Sequence, residues 1–496
     1  EKIAVEYTAH YQEPKNEYEK AICEAFEKTL ETEMVGAGDN FFELGGDSLH
    51  IAVLMSEIET RLPRTELLFE DVFQYPVPEL LAQHLYRKKA KVDKEEKNPL
   101  EELSYQGFSQ LLKENALSDG EKEIKTHSLG RVLLTGATGF LGIHILMELM
   151  KQKECFTEIY ALVRPTKRQT PEKRLKNLLF YFESTDFDEL IGTRVFAVPG
   201  DITQEGVFEE PLEVKFDTVI NCAADVSHFA YDDKLERINT GGVKNLLSFC
   251  RANKAALIQI STISVGGVYR KENPPLTLTE QDLFLGQEIR NQYIHSKYMA
   301  EYEILRSAVK DALPVKLMRV GNLQGRLSDG EFQMNRRSNA FTRQISSYIK
   351  IGKVPQSLFE STVNFSPVDE VARMIVTLGR LPEKYRVFHV FPEKEVPFRK
   401  LFETAAKLGY ATEVVSDAAF EHYIKELGSE KKGLELLEGI LVERPDLAYA
   451  DTKVTQEFTG KILRQLGVSW NEITDGYLEK YFRALDEFGV FEEELL

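Results

Sequence analysis

Arg131–Gly142 reads RVLLTGATGFLG. The apolar run Val132–Leu134 is long enough for a buried parallel strand and ends at Thr135. Gly136, Gly139 and Gly142 follow at three-residue intervals, and an amphipathic run from Ile143 to Lys151 continues without a breaker. Strand, glycine turn and helix, in that order, are what a dinucleotide pyrophosphate needs. The chain must turn tightly, approach the phosphates closely and point the helix N-terminal N–H groups at the anion. The spacing G-x-x-G-x-x-G is one residue longer in its first interval than the usual fingerprint. A glycine triplet alone also suits a purely structural turn.

The downstream chain supports the ligand-binding reading. Glu158–Val163 is a second strand, and Arg164, twenty-two residues past Gly142, stands where an acidic residue would meet a ribose 2′-hydroxyl. A basic residue there suits a 2′-phosphate, and Lys167, Arg168 and Arg174 add charge or form a solvated basic loop. NADPH is therefore expected over NADH. Val195–Val198 leads to Asp201 and Ile202, a strand end suited to the adenine amine. Thr218–Ile220 leads to Asn221 and to Ala223, small enough for a ribose to approach the backbone. A helix opens near Asn239, Leu257–Ile260 ends in Ser261 and Thr262, and Val315–Gly321 is a sixth strand before Asn322. Strand–helix alternation predicts an α/β doubly wound (Rossmann) parallel sheet with its ligands at the carboxyl strand ends.

Thirty-one residues after Thr262 comes Tyr293-Ile-His-Ser-Lys297, on an apparent helix. Tyrosine and lysine four apart share a helical face. A phenol titrates near pH ~10 unless a cation stabilises its anion, and the ammonium is expected to do so. Thr262 supplies a second hydrogen bond to an oxygen that becomes negative. Y-x-x-x-K alone is common by chance; its position after a glycine turn and a strand-terminal threonine gives it weight. His295 falls on another part of the helix and reads as structural.

The chain has 496 residues, 43% hydrophobic and 29% charged, which predicts several domains able to bury sizeable cores. A net charge of −18 argues against general nucleic-acid binding. No run of eighteen apolar residues and no signal-peptide core is present, so no membrane partner and a cytoplasmic location are expected. Cys23, Cys155, Cys222 and Cys250 lack metal or C-x-x-C spacing, and no metal site is expected. The start without methionine looks like a cut from a longer polypeptide.

Residues 16–88 predict a small all-α bundle. Asn16–Glu31 places Tyr18, Ile22, Ala25, Phe26 and Leu30 on one face, with Asn16 as cap, and DNFFELGGDS (Asp39–Ser48) precedes a second helix. Ser48 suits a helix N-cap, but two glycines and Asp47 before it also suit a hydroxyl displayed to a modifying enzyme.

FFELGGDSLH resembles the phosphopantetheine attachment motif of peptidyl carrier domains in nonribosomal peptide synthetases, which implies 4′-phosphopantetheine on Ser48. Residues 1–15 resemble the tail of an absent adenylation domain, and residues 89–128 read as a linker between two domains. The order TGATGFLG, LVR, GDIT, NCAADV, ISTISVGG, YIHSK and RVGNLQG resembles extended short-chain dehydrogenase/reductases, more narrowly the thioester reductase domains that end some of these synthetases. The resemblance implies a reductase over 129–496, mainly NADPH-binding over 129–330 and a mainly helical substrate side over 331–496. It implies Thr262, Tyr293 and Lys297 as the catalytic set. Gly136, Gly139, Gly142, Arg164 and Arg174 would meet the NADPH phosphates, Asp201 the adenine, and Asn221 and Asn322 the nicotinamide side. Thr135, Thr138, Phe140, Leu141, Ile202, Ala223 and Asn239 complete the cofactor set. Upstream adenylation and condensation domains, a phosphopantetheinyl transferase, a tethered peptidyl or aminoacyl substrate and carrier–reductase docking are the implied partners. The implied reaction is reductive release as an aldehyde, possible reduction to an alcohol following. The rivals are a carboxylic acid reductase fragment, a redox-inactive releasing or cyclising domain, and a sugar-nucleotide epimerase that leaves GGDS without a purpose.

Overall fold

Arg131–Thr135 forms strand β1, buried from Val132 onward, as a strand covered on both faces must be. The structure is a computed structural model that describes residues 11–46, 48–62, 67, 69–92, 106–117, 124–166, 169–183, 187, 189–208, 212–226, 234–289, 291–333, 339–427, 440 and 449–491. Six more strands join β1: β2 (Glu158–Val163), β3 (Val195–Pro199), β4 (Thr218–Asn221), β5 (Ala256–Thr262), β6 (Val315–Val320) and β7 (Val387–Val390). Every pairing is parallel, in the order β7-β6-β5-β4-β1-β2-β3. The order reverses between β1 and β4, which opens a ligand crevice at their carboxyl ends. The doubly wound sheet is as expected; β7, with four buried residues, is an addition to it.

The helices Phe140–Lys151 and Val368–Gly379 pack together over one face of the sheet, in a core that includes Ile145, Leu149, Val371 and Ile375. Gly242–Asn253 and Gln292–Asp311 cover the other face through Leu246, Leu247, Ile304 and Leu305. A smaller cluster, with Phe341, Phe365, Phe402, Tyr477 and Tyr481, joins the helices Ala340–Ile351, Phe398–Lys407 and Asp475–Asp486. Phe140 packs against both the large core and this cluster, its ring 4.8 Å from that of Phe332. The C-terminal part is thus only partly a separate layer, because Val368–Gly379, β7 and Ile462–Leu463 all belong to the main sheet core.

Part of the expected linker also belongs to that domain. The helix Gln106–Lys113 buries Phe108 and Leu112 in the core beneath Gln292–Asp311, with Phe108 edge-on to Tyr302. Asn115 is fully buried: its amide donates to the Glu280 and Val387 carbonyls and accepts from the Arg386 and Val387 nitrogens. Composition groups this stretch with charged neighbours, whereas its apolar face and one asparagine fix it to β7.

The N-terminal helices Glu17–Leu30, Ser48–Arg61, Phe69–Gln74 and Pro78–Val92 enclose a core of Ile22, Phe26, Phe41, Ile51, Leu54 and Leu85. Asn16 caps the first, its side chain accepting from the Glu19 nitrogen at 2.9 Å.

Candidate functional site

Gly136 stands at φ +67°, and a Cβ on it would lie 2.5 Å from the Ala223 nitrogen, against the loop that leaves β4. Only glycine allows β1 to turn there. A Cβ on Gly142 would come within 2.1 Å of the Gly136 carbonyl oxygen, so the helix packs on the turn only without one. Gly139 is exposed and starts the helix Phe140–Lys151 with no side-chain cap, which leaves first-turn N–H groups available. An uncapped, glycine-lined helix start at the switch point fits a pyrophosphate. Leu141 is buried and Phe140 half-buried in the core, so both reach this site through the backbone, and Thr138 is half-buried beside them.

Arg164 follows β2 and is exposed; Arg174 donates to its carbonyl at 3.3 Å. Burial, then the neighbouring Arg164 charge, pulls the Arg174 guanidinium below its ordinary value. Among the described residues neither has a carboxylate partner. Two cations held together without an acid suit an added phosphate. Lys167 and Arg168 lie outside the described residues. Asp201 follows β3, its Oδ1 accepting from the Thr203 nitrogen and hydroxyl at 2.9 Å. Ile202 is buried against Gly242 and belongs to the core.

Two residues expected at the cofactor have side chains bonded within the protein. Asn221 is fully buried, its amide shared between the Thr135 hydroxyl, Gln259 and the Ala223 nitrogen. Its side chain ties β1, β4 and β5 at the crevice floor. Asn239 sits in a single π-helical turn, Glu236–Gly241, bonded to the Asp225 backbone and to Ser296 Oγ at 2.9 Å. It secures the residue beside Lys297. Asn322, just beyond β6, is half-buried, and its nitrogen donates to Asn364 Oδ1 at 2.9 Å.

Thr262 ends β5, its hydroxyl bonded to Ser264 Oγ and N at 3.1 Å. The helix Gln292–Asp311, capped by Asn291, carries Tyr293 and Lys297 and packs on β5 and on the turn Ile263–Gly266 that follows Thr262. Lys297 is buried, and its Nζ donates to the Ile260 carbonyl at 2.7 Å. Burial lowers its pKa to about 8. Tyr293 departs from expectation: burial pushes the phenol up to about 12. One N–H of the ammonium is taken by a strand carbonyl, and burial favours the protonated phenol. His295 is exposed.

A further set of residues holds this arrangement. One turn after Lys297, Glu301 accepts from Ser261 Oγ at 2.5 Å and forms a fully buried pair with Arg319 of β6, 2.7 Å apart. Arg319 also meets His389 of β7 at 3.2 Å and the Asp282 carbonyl at 2.9 Å. His389 donates through Nδ1 to the Thr455 carbonyl, and burial beside Arg319 lowers its pKa to about 3. The only sequence signal was an acid four residues after Lys297; its partners come from strands far along the chain.

In the N-terminal bundle, Ser48 opens the second helix. Gly45 has φ +94°, and a Cβ on Gly46 would lie 2.5 Å from the Phe41 ring, which is buried against Phe26. The glycines thus let the chain turn over a core phenylalanine before the serine. Asp47 lies outside the described residues, as do residues 1–10 of the N-terminal tail. No helix among the described residues is long and apolar enough to cross a membrane.

Residues 134–375 match the family described as male sterility protein, with an NAD-binding domain, and residues 20–85 the phosphopantetheine attachment site family. Isonitrile lipopeptide synthase of Streptomyces coeruleorubidus is 27% identical over 75% of this chain and 25% of its own length. A linear gramicidin synthase polypeptide of Brevibacillus parabrevis is 24% identical over 98% of the chain and 9% of its own length. The chain therefore spans a quarter or less of these curated relatives. Among solved structures, a thiolation-reductase di-domain from an archaeal nonribosomal peptide synthetase aligns with TM-score 0.81 and 35% identity, over 98% of this chain and 100% of that one.

Proposed function

Because the chain belongs to the thiolation-reductase di-domains of nonribosomal peptide synthetases, we propose that it releases an acyl chain reductively from its own carrier domain. Ser48 holds 4′-phosphopantetheine, and a peptidyl or aminoacyl group is carried on it as a thioester. The observation that supports the reading is that the glycine turn at Gly136 abuts the loop leaving β4, while the neighbouring β5, which ends in Thr262, is bonded by Lys297 from the helix that also carries Tyr293.

The Gly136–Gly142 turn binds the cofactor pyrophosphate, and the Arg164–Arg174 pair selects NADPH through its 2′-phosphate. When bound there, NADPH would supply a hydride for the thioester carbon; with one proton for the departing sulfur, cleavage of the carbon–sulfur bond would leave an aldehyde and a thiol. Tyr293 and Thr262 bond the carbonyl oxygen as its charge grows, the neutral phenol serving as proton donor. Lys297 fixes the helix against Ile260 and adds positive charge while it remains protonated. Upstream adenylation and condensation domains supply the chain, and a phosphopantetheinyl transferase installs the arm. We place the reaction in the cytoplasm, in keeping with four free cysteines.

The test is to load Ser48 enzymatically with an aminoacyl-pantetheine and follow NADPH absorbance and product mass. Consumption of NADPH with an aldehyde or alcohol product supports the reading. Release as an acid or a cyclised product without NADPH consumption overturns it.

A further inference from the structure

The loop after Thr262 is stitched to a distant C-terminal segment. Val268–Arg270 pairs antiparallel with Tyr449–Asp451, Thr277–Leu278 pairs parallel with Lys453–Val454, and the Thr452 nitrogen donates to the Gly267 carbonyl at 3.1 Å. Against this segment lies a cavity of about 1190 Å³ whose wall includes Ile263, the residue next to Thr262, together with Asn364, Phe391, Thr452 and Gln456.

Two side chains of that wall are polar, buried and unsatisfied. Gln456 is 6% exposed, and both its amide nitrogen and its amide oxygen lack a partner among the described residues. Thr452 is 7% exposed, and its hydroxyl is in the same state. Native interiors rarely leave such groups unpaired, and a carboxamide with neither atom used complements a secondary amide, donor to carbonyl and carbonyl to N–H. Four basic and four acidic side chains also line the cavity, so its charge is balanced. Balance of that kind does not select an anion, and it favours a neutral polar chain.

We propose that this cavity seats a secondary-amide-bearing chain, with Gln456 and Thr452 pairing its amides and Ile263 directing its end to Thr262. Two sources carry that chemistry: the pantetheine arm and the tethered peptidyl group. The proposal rests on the reductive reading only for the identity of the chain; binding is measured without hydride transfer.

The experiment is calorimetric titration of the full chain with two unreactive thioethers. One is S-butyl-pantetheine, with its amides in the arm. The other is S-butyl-cysteamine acylated with N-acetylglycine, a shorter chain whose amides have peptide character. Gln456→Leu is expected to weaken binding about tenfold or more, with Thr452→Val, a near-isosteric change, in the same direction. Weakening confined to S-butyl-pantetheine assigns the site to the arm; weakening confined to the acetylglycyl ligand assigns it to the peptidyl group. No binding by the unsubstituted chain, or equal affinity in both variants with unchanged thermal unfolding, overturns the proposal. If Gln456→Leu fails to fold, the Thr452→Val titration decides alone. Retained binding without NADPH consumption by the loaded chain would remove the reductive reading and leave the subsite standing.

Discussion

Lys297 donates to the Ile260 carbonyl at 2.7 Å, two residues before Thr262 on the same strand. The ammonium is therefore held by the strand that carries the other oxygen-binding group. Burial brings its pKa to about 8, so it is charged below that pH and neutral above it. If the charge serves the reaction, kcat/KM for thioester reduction is level at lower pH and falls as pH rises through about 8. Lys297→Arg should move that limb upward, and Lys297→Met should remove it along with much of the rate. A pH–rate profile with no limb in this range for the parent chain would take the ammonium out of the reaction.

Tyr293 lies one helical turn before Lys297, and burial holds its phenol near 12. At neutral pH it is a neutral donor. Tyr293→Phe removes that donor while keeping the ring, so kcat for both the thioester and a small aldehyde should drop by ~10²–10⁴-fold. NADPH affinity, measured by fluorescence titration, should change little. Undiminished aldehyde reduction would exclude the phenol as the acid.

Arg164 and Arg174 are brought together by the Arg174 bond to the Arg164 carbonyl. Each charge-assisted bond to a phosphate is worth ~1.5–3 kcal/mol, so Arg164→Ala should raise the NADPH Kd by roughly 10–100-fold. NADH, without the phosphate, should bind the variant about as well as the parent. Parallel losses for both nucleotides would mean that the pair supports the loop and does not read the phosphate.

Much of this was legible in the sequence because local rules govern it. The glycine triplet, the apolar strands and the Ser48 segment are short-range patterns, and Gly136 and Gly46 are glycines because backbone and ring leave no room for a Cβ. What stayed hidden depends on contacts across the chain. Asn221 and Asn239 sit at strand and helix ends where a ligand contact is equally plausible; only burial shows their amides already used. Asn115 lies in a charged stretch, and its four bonds reach residues that no periodicity connects to it. The spacing of Tyr293 and Lys297 predicts a depressed phenol, and the competition for the ammonium by a strand carbonyl has no sequence signature.

His389 is fully buried between Arg319 and the Thr455 carbonyl, with its pKa lowered from 6.5 to about 3. The unfolded chain takes up this proton as pH falls below its ordinary value, while the folded chain resists until about 3. The unfolded state then binds more protons, so stability from this group is full above the ordinary value and is lost as pH falls. His389→Gln should flatten the fall of Tm with acidification relative to the parent chain. An identical slope in both would assign acid sensitivity to other groups.

Glu301 and Arg319 are both fully buried and joined 2.7 Å apart, and Glu301 also receives the Ser261 hydroxyl. One helix turn separates Glu301 from Lys297, and Ser261 directly precedes Thr262. Glu301 thus ties the helix that carries Tyr293 and Lys297 to β5 through Ser261 and to β6 through Arg319, and we propose it as a positioning residue. Removing one partner leaves a buried charge, so Glu301→Gln should destabilise the chain by ~3–5 kcal/mol in denaturant unfolding. A purely structural part would lower Tm and leave the folded fraction with normal kinetics. Positioning predicts more: at a temperature where the variant is folded, kcat falls while the NADPH Kd holds, and Glu301→Asp restores little because its shorter side chain cannot span to both Ser261 and Arg319. Normal kcat in the folded Glu301→Gln chain would confine the pair to stability.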